Sequence, residues 1–245
     1  MILSFFEEFP TESNLQKLSL LRRPAKLYLA ASSFSQFLHL SQKLKNNTKV
    51  REVIYWPIFK RKEGYWISPF AKKSALQRIF KELEGKYLPV LLDLELPTTQ
   101  NKVLYLTQAL SYRFNKKLIE SFIVAYPGKI YAAEYYPDSK IAEFLFQKIG
   151  LHYSSPKIHI IKMFYHSLHP FSLPSLEKKL RHGKQQWGTR FIPAFGVLGS
   201  GIHSNEPRIT LFELARELRL AKKLRIQEVI LYRLGGLEKS SLKTA

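Results

Sequence analysis

Leu88-Pro89-Val90-Leu91-Leu92-Asp93-Leu94-Glu95-Leu96-Pro97 is the stretch on which the reading of this chain turns. It is a short apolar run bounded by two prolines, the pattern of a buried strand. Side chains alternate along a strand, so Asp93 and Glu95 share one face while Leu92, Leu94 and Leu96 share the other. Two acids on one face at the end of a core strand carry a desolvation cost unless they are paired or used.

The rest of the chain repeats this unit with different chemistry at each tip. Apolar runs at 2–9, 26–31, 52–56, 129–134, 157–165, 190–195 and 228–233 read as seven more strands. Amphipathic segments separate them. One begins at Thr11 or Ser13 and runs to Arg23, and another is capped by Ser32, Ser33 or Ser35 and runs to Lys45. Further helices span Lys72 to Leu83, Asn101 to Ala125 with Asn115 as a break, and Asp138 to Lys148 before Gly150. The last two cover Leu173 to Trp187 and Ile209 to Lys223. Strands alternating with helices imply parallel pairing through right-handed crossovers. Eight such units close into a single α/β domain over residues 1–245, a (β/α)8 TIM barrel with a reduced or missing eighth helix. A doubly wound open sheet is the alternative. Residues 57–70 form an aromatic-rich insertion with Phe59, Tyr65, Trp66 and Phe70 around Glu63-Gly64, either a lid or stacking platform or a hairpin packed over the rim.

At 245 residues the chain is long enough to bury one such core, and its apolar share of 45% is ordinary for a globular protein. Thirty-nine Lys and Arg against nineteen Asp and Glu give a formal charge of +20. That excess attracts polyanions but says nothing about fold. The basic residues are dispersed in small clusters with no basic tail, which argues against nucleic acid as the partner. With no cysteine, disulfides, thiolate metal sites and a cysteine nucleophile are excluded. No metal or cofactor is expected. The N-terminal run lacks a basic region and meets Glu7 and Glu8 at once, unlike a secretory signal. No apolar stretch approaches the roughly 20 residues that span a bilayer, so a cytoplasmic location is expected.

Active sites of such barrels gather at the C-terminal strand ends. The tips here carry Glu7 and Glu8, Tyr55 and Trp56, Asp93 and Glu95, Glu134 with Tyr135 and Tyr136, Tyr165 with His166, and Tyr232 with Arg233. Acids and aromatics suit a carbohydrate: rings stack on pyranose faces, and carboxylates act as acid, base or nucleophile. Pairing of these acids with Arg233 or with lysines is the purely structural alternative. Glu95, with Asp93, Glu134 and Tyr165, is the catalytic candidate. Glu8, Tyr55, Trp56, Tyr135, His166, Tyr232 and Arg233 are candidate substrate contacts, and Glu134 is the second carboxylate of a two-acid mechanism.

Asp93-Leu94-Glu95 on strand four, with Met163-Phe164-Tyr165 on strand six, resembles glycoside hydrolase family 18, the chitinase-like barrels. The resemblance implies that Glu95 is the proton donor and that Asp93 orients the substrate's acetamido group, which attacks the anomeric carbon. It implies that Tyr165 holds the developing oxazoline. The chain departs from that pattern: Leu91 and Val90 stand where the family has further aspartates, His166 follows the tyrosine in place of aspartate, and Tyr232 replaces a tryptophan. The lysozyme-type barrels of family 25 share Asp-x-Glu on strand four, so the motif does not choose between the two.

Two further readings stay open. Gly196, Gly199 and Gly201 follow strand seven, while Gly235 and Gly236 follow strand eight, where barrels hold phosphate on backbone amides. With Gly199, Gly201, Gly235 and Gly236 as that cradle, the protein is a sugar-phosphate isomerase or lyase with Glu95 or Glu134 as base. A metal-dependent variant would draw on Glu95, Glu134, His166 and His203, which show no ligand spacing. The third reading is a non-catalytic binder of an anionic glycan or nucleic acid, with basic residues interleaved among the aromatics from Tyr55 to Trp66.

Overall fold

The computed structural model describes residues 1–97, 111–136, 140–168, 170–202 and 204–239. Its strands are β1 (Ile2–Glu7), β2 (Ala25–Ala31), β3 (Val50–Pro57), β4 (Val90–Asp93), β5 (Ile130–Tyr135), β6 (Ile158–Phe164), β7 (Phe191–Gly196) and β8 (Glu228–Tyr232). They form a closed barrel in sequence order, so the open-sheet alternative falls. Between them lie α1 (Glu12–Gln16), α2 (Phe34–Leu44), α3 (Lys73–Leu83), α4 (Tyr112–Ala125), α5 (Lys140–Lys148), α6 (Leu173–Trp187) and α7 (Leu211–Lys223). After β8 the described chain makes a 3-10 turn, Leu234–Gly236, in the place of a helix. The first half of the helix expected from Asn101 lies outside the described residues.

Helix starts follow the side chains available to cap them. Thr11 accepts from the Asn14 amide and opens α1, which gives way after Gln16 to a 3-10 turn, Lys17–Leu20. Ser172 accepts from the Ser175 amide to start α6, with a proline in the first turn, where no amide is needed. Thr210 and Glu213 form a reciprocal capping box at the head of α7.

The chain divides into two compact units. The first comprises Met1–Ala30, Leu40–Val53 and Ile160–Ala245. Within it β1 pairs with β2 at Phe5–Leu27 and Phe6–Tyr28, and with β8 from Ile2–Glu228 through Phe6–Tyr232. Residues paired across parallel strands share a face, so Ser4, Phe6, Lys26, Tyr28, Glu228, Ile230 and Tyr232 point one way. That inner face carries a buried polar layer. Glu228 accepts from Ser4 Oγ at 2.9 Å, Lys26 Nζ at 2.6 Å and Tyr28 OH at 3.0 Å. The carboxylate is thus paired with a cation and two hydroxyls, which is what a buried charge requires.

The second unit comprises Ala31–His39 and Ile54–His159. Here Tyr55 pairs with Val90, and β4 pairs with β5 from Val90–Ile130 through Asp93–Ala133. Tyr55 packs outward on α2, its ring 4.7 Å from that of Phe37. Its register partner Val90 faces outward with it, so Leu91 and Asp93 face inward, as does Trp56.

Residues 57–70 are neither a hairpin nor an open lid. A 3-10 turn, Arg61–Glu63, leads into Gly64 at φ +116°, where a Cβ would come within 3.0 Å of the Ala71 backbone. Phe59, Tyr65, Trp66 and Ile67 are buried. Trp66 lies parallel to Trp56, with centroids 5.9 Å apart and planes 7° off. Two polar struts hold the segment. Glu63 takes both terminal nitrogens of Arg78 on α3, at 3.0 and 3.1 Å, and that guanidinium holds its carboxyl below the ordinary range. Asn115 donates to the carbonyls of Pro69 and Ala71 at 2.9 and 3.0 Å. Asn115 was expected to break its helix; α4 runs straight through it, because the side chain spends its donors on the loop and not on its own helix.

Candidate functional site

In the second unit, the strand-four acids meet a tyrosine from strand five. Asp93 pairs with Ala133, and the Leu94 amide donates to the Ala133 carbonyl, so the next inward residues are Glu95 and Tyr135. Tyr135 OH donates to Glu95 Oε2 at 2.9 Å. Burial pushes the Glu95 carboxyl up, while its hydrogen bonds to Tyr135 and to Asp93 pull it partly back. Two hydrogen-bonded carboxyl groups hold a proton between them more readily than two charges. The Tyr135 hydroxyl is itself pushed up by burial and by the Glu95 charge, so it stays protonated and remains a donor. The arrangement holds a carboxyl raised by burial in a fixed orientation, chemistry that a general acid can use.

Glu134 does not join it. As the neighbour of Tyr135 on β5 it points to the opposite face, where it is fully buried with Oε2 2.8 Å from His152 Nδ1. His152 Nε2 lies 4.0 Å from Glu143 on α5. Placing Glu134 beside Glu95 as a second catalytic carboxylate therefore meets the pleat of β5, which turns it toward the helices. His152 and Glu143 were not singled out from the sequence. Strand parity alone carried the signal: once Glu95 and Tyr135 share a face, Glu134 needs a partner on the other. Trp56 faces inward with Trp66 upon it, whereas Tyr55 faces α2 and its hydroxyl has no hydrogen-bond partner among the described residues.

The first unit holds its own tip cluster. Tyr232 OH donates to Glu8, and the Tyr165 ring lies 5.5 Å from that of Tyr232. Burial and the Glu8 charge both push the Tyr232 hydroxyl up, keeping it a donor. Gly201 is required here, since a Cβ would strike Tyr232 OH at 2.0 Å. Glu7 faces the other way and accepts from Arg233 Nη1 at 3.0 Å, the Gly235 amide at 2.6 Å, the Phe9 amide at 2.9 Å and Asn14 Nδ2 at 3.2 Å. Arg233 also donates to the Ser200 carbonyl at 2.8 Å, so Glu7 and Arg233 form a strut tying the loop after β7 to the loop after β8. His166 turns to α7, with Nε2 3.4 Å from Glu213 and Nδ1 3.9 Å from Glu217.

Three of the four glycine amides proposed as a phosphate cradle are committed within the protein. The Gly201 amide donates to Glu206 at 3.0 Å, Gly235 to Glu7, and Gly236 to the Arg233 carbonyl. Gly199 packs on Gly236 so closely that a Cβ on either would strike the other's backbone. Two of these acceptors are carboxylates, which repel a phosphate. Among the described residues no group of three or more His, Asp or Glu is arranged to hold a metal ion, and His203 lies outside them. Among the described residues no helix is long and apolar enough to cross a membrane.

No family model and no curated protein matches the sequence. Solved structures do match. The glycoside hydrolase domain of PgaB (BpsB) from Bordetella bronchiseptica superposes with a TM-score of 0.56 at 11% identity, covering 99% of this chain and 97% of that one. A D-tagatose 3-epimerase-like protein gives 0.56 at 12%, covering 100% and 94%. A Bacteroidetes-affiliated GH5 cellulase linked with a polysaccharide utilization locus gives 0.53 at 10%, covering 100% and 90%. At these identities the likeness establishes the eight-stranded barrel.

Proposed function

We propose that this barrel is a glycoside hydrolase in which Glu95 is the acid. The observation that carries the reading is the hydrogen-bonded set Asp93–Glu95–Tyr135, which leaves Glu95 with a carboxyl raised by burial. Glu95 protonates the departing glycosidic oxygen. Asp93 shares its face and is hydrogen-bonded to it, whereas Glu134 is turned away. That pairing favours a substrate that brings its own nucleophile, a 2-acetamido sugar whose carbonyl oxygen attacks the anomeric carbon while Asp93 orients the amide. Water then opens the cyclic intermediate and returns the proton to Glu95. Trp56 and Trp66 are stacked on each other and buried, so neither presents an open face to a sugar ring. Two of the matching barrels are glycoside hydrolases by name, which agrees with the reading at the level of fold.

The test is hydrolysis of chromogenic N-acetylglucosaminides and chitin fragments by wild type and Glu95→Gln. The expected loss in kcat is about 100-fold or more, since the amide keeps the size and lacks the acidic proton. Turnover that survives the substitution removes Glu95 from the acid role. Glycan binding without turnover in the wild type makes the barrel a binder.

A further inference from the structure

One cavity among the described residues lies away from the strand tips. It occupies about 840 Å³ in the first unit, at the N-terminal ends of β1, β2 and β3 and against α7. Phe5, Leu21, Ala25 and Leu218 form a buried apolar floor. Arg22, Arg23, Arg51 and Lys222 stand around it, all exposed. Among the described residues no Asp or Glu lines this cavity, and none of the four cations has an ion-pair partner. The other conspicuous arginines, Arg78, Arg181 and Arg233, each hold a glutamate.

Grouping four like charges costs repulsion that an anion relieves, and the volume falls within the range of small-ligand pockets, roughly 300–1,000 Å³. Guanidinium groups fit phosphate oxygens two at a time. A phosphate monoester carries more than one charge at neutral pH and offers three acceptor oxygens, which answers several cations better than a single carboxylate. The apolar floor asks for a hydrocarbon body. Nucleic acid is the poorer fit, because the aromatic ring of the lining, Phe5, is fully buried and offers no face to a base. A flat lipid surface does not reach a recessed floor.

We infer that this cavity binds a phosphorylated amphiphile, one alkyl chain ending in a phosphate monoester, with the chain against the half-buried Ile2, Leu3 and Val50 above that floor and the phosphate among Arg22, Arg23, Arg51 and Lys222. The site is independent of Glu95 and of glycoside chemistry, so it stands or falls separately from the proposed hydrolase activity.

The experiment is calorimetric titration of the full chain with octyl phosphate below its micellar concentration, beside inorganic phosphate, octanol and phosphatidic acid vesicles. Octyl phosphate is expected to bind at least about 10-fold tighter than inorganic phosphate or octanol, because both parts of the ligand contribute. Arg22→Glu with Arg51→Glu is expected to weaken it by about 10-fold or more without lowering the thermal unfolding midpoint, since both side chains are exposed and the change relieves like-charge repulsion. Should that variant misfold, the wild-type affinity itself must fall with added salt. Octanol binding as tightly as octyl phosphate, charge reversal without effect, salt-independent affinity, or binding of vesicles without binding of the monomer would each overturn the assignment.

Discussion

Glu134 and Tyr135 are adjacent in sequence and opposite in environment, and the difference sets what each can be asked to do. Tyr135 OH stabilises the charged form of Glu95, so Tyr135→Phe removes a bond that lowers that carboxyl. Activity that needs protonated Glu95 then persists to higher pH. The alkaline limb of kcat against pH moves up in Tyr135→Phe and vanishes in Glu95→Gln, and an unmoved limb removes Tyr135 from the acid's environment. Glu217 on α7 makes a second residue-scale case. It is buried, its two carboxyl oxygens have no hydrogen-bond partner among the described residues, and burial followed by the Glu213 charge pushes it up to about 8 against the pull of Arg216. An acid raised on folding contributes stability below its unfolded value, near 4.3, and loses it as pH climbs toward the folded value. Glu217→Gln should therefore leave urea stability nearly unchanged at about pH 4 and raise it by about 2 kcal/mol or more at about pH 8. An equal effect at both values would show that Glu217 is not neutral when folded. Neither the Glu134–His152 pair nor the Glu217 environment was legible in sequence, because each depends on which helix covers which strand. The opposition of Glu134 and Tyr135 was legible from alternation alone.

At the scale of the element, the 57–70 segment shows where composition misleads. Its aromatics fitted a lid or stacking platform and a packed hairpin alike; Phe59, Tyr65, Trp66 and Ile67 are buried without a hairpin, and the residues that hold the segment come from α3 and α4. Asn115 looked like a helix breaker by propensity and acts as a bracket by geometry. Asn115→Ala leaves the Pro69 and Ala71 carbonyls without their donor and should cost about 1–3 kcal/mol in urea unfolding. A cost indistinguishable from zero would mean that the loop packs without it. The regular elements were far more legible. The helix expected over roughly Leu173 to Trp187 is found there, and the structure shows Ser172 capping it and Gly188 ending it. β4 came out shorter than its apolar run, since Pro89 and Pro97 donate nothing to a ladder.

At the scale of the molecule, the eight apolar runs alternating with amphipathic segments pointed to parallel strands and left barrel and open sheet both possible; the closed order β1 to β8 decides for the barrel. What the runs did not carry is which acids share a face across neighbouring strands; that is register, and it fixes the candidate site. The charge of +20 belongs to this scale too. Dispersed like charge opposes the compact state, and salt screens it. The thermal midpoint should rise between roughly 0.02 and 0.3 M sodium chloride. A falling midpoint would show that local ion pairs outweigh the net repulsion. The seam between β1 and β8 has a kinetic counterpart. On the edge of β1 away from β2, Ile2 through Phe6 pair with residues 228 to 232, and Ser4 Oγ reaches its acceptor across 224 positions of chain. During synthesis β8 follows β1 only after the whole barrel between them, so that edge of β1 stays unpaired until β8 emerges. Guarding that edge until β8 arrives is the demand this topology places on the cell that makes it.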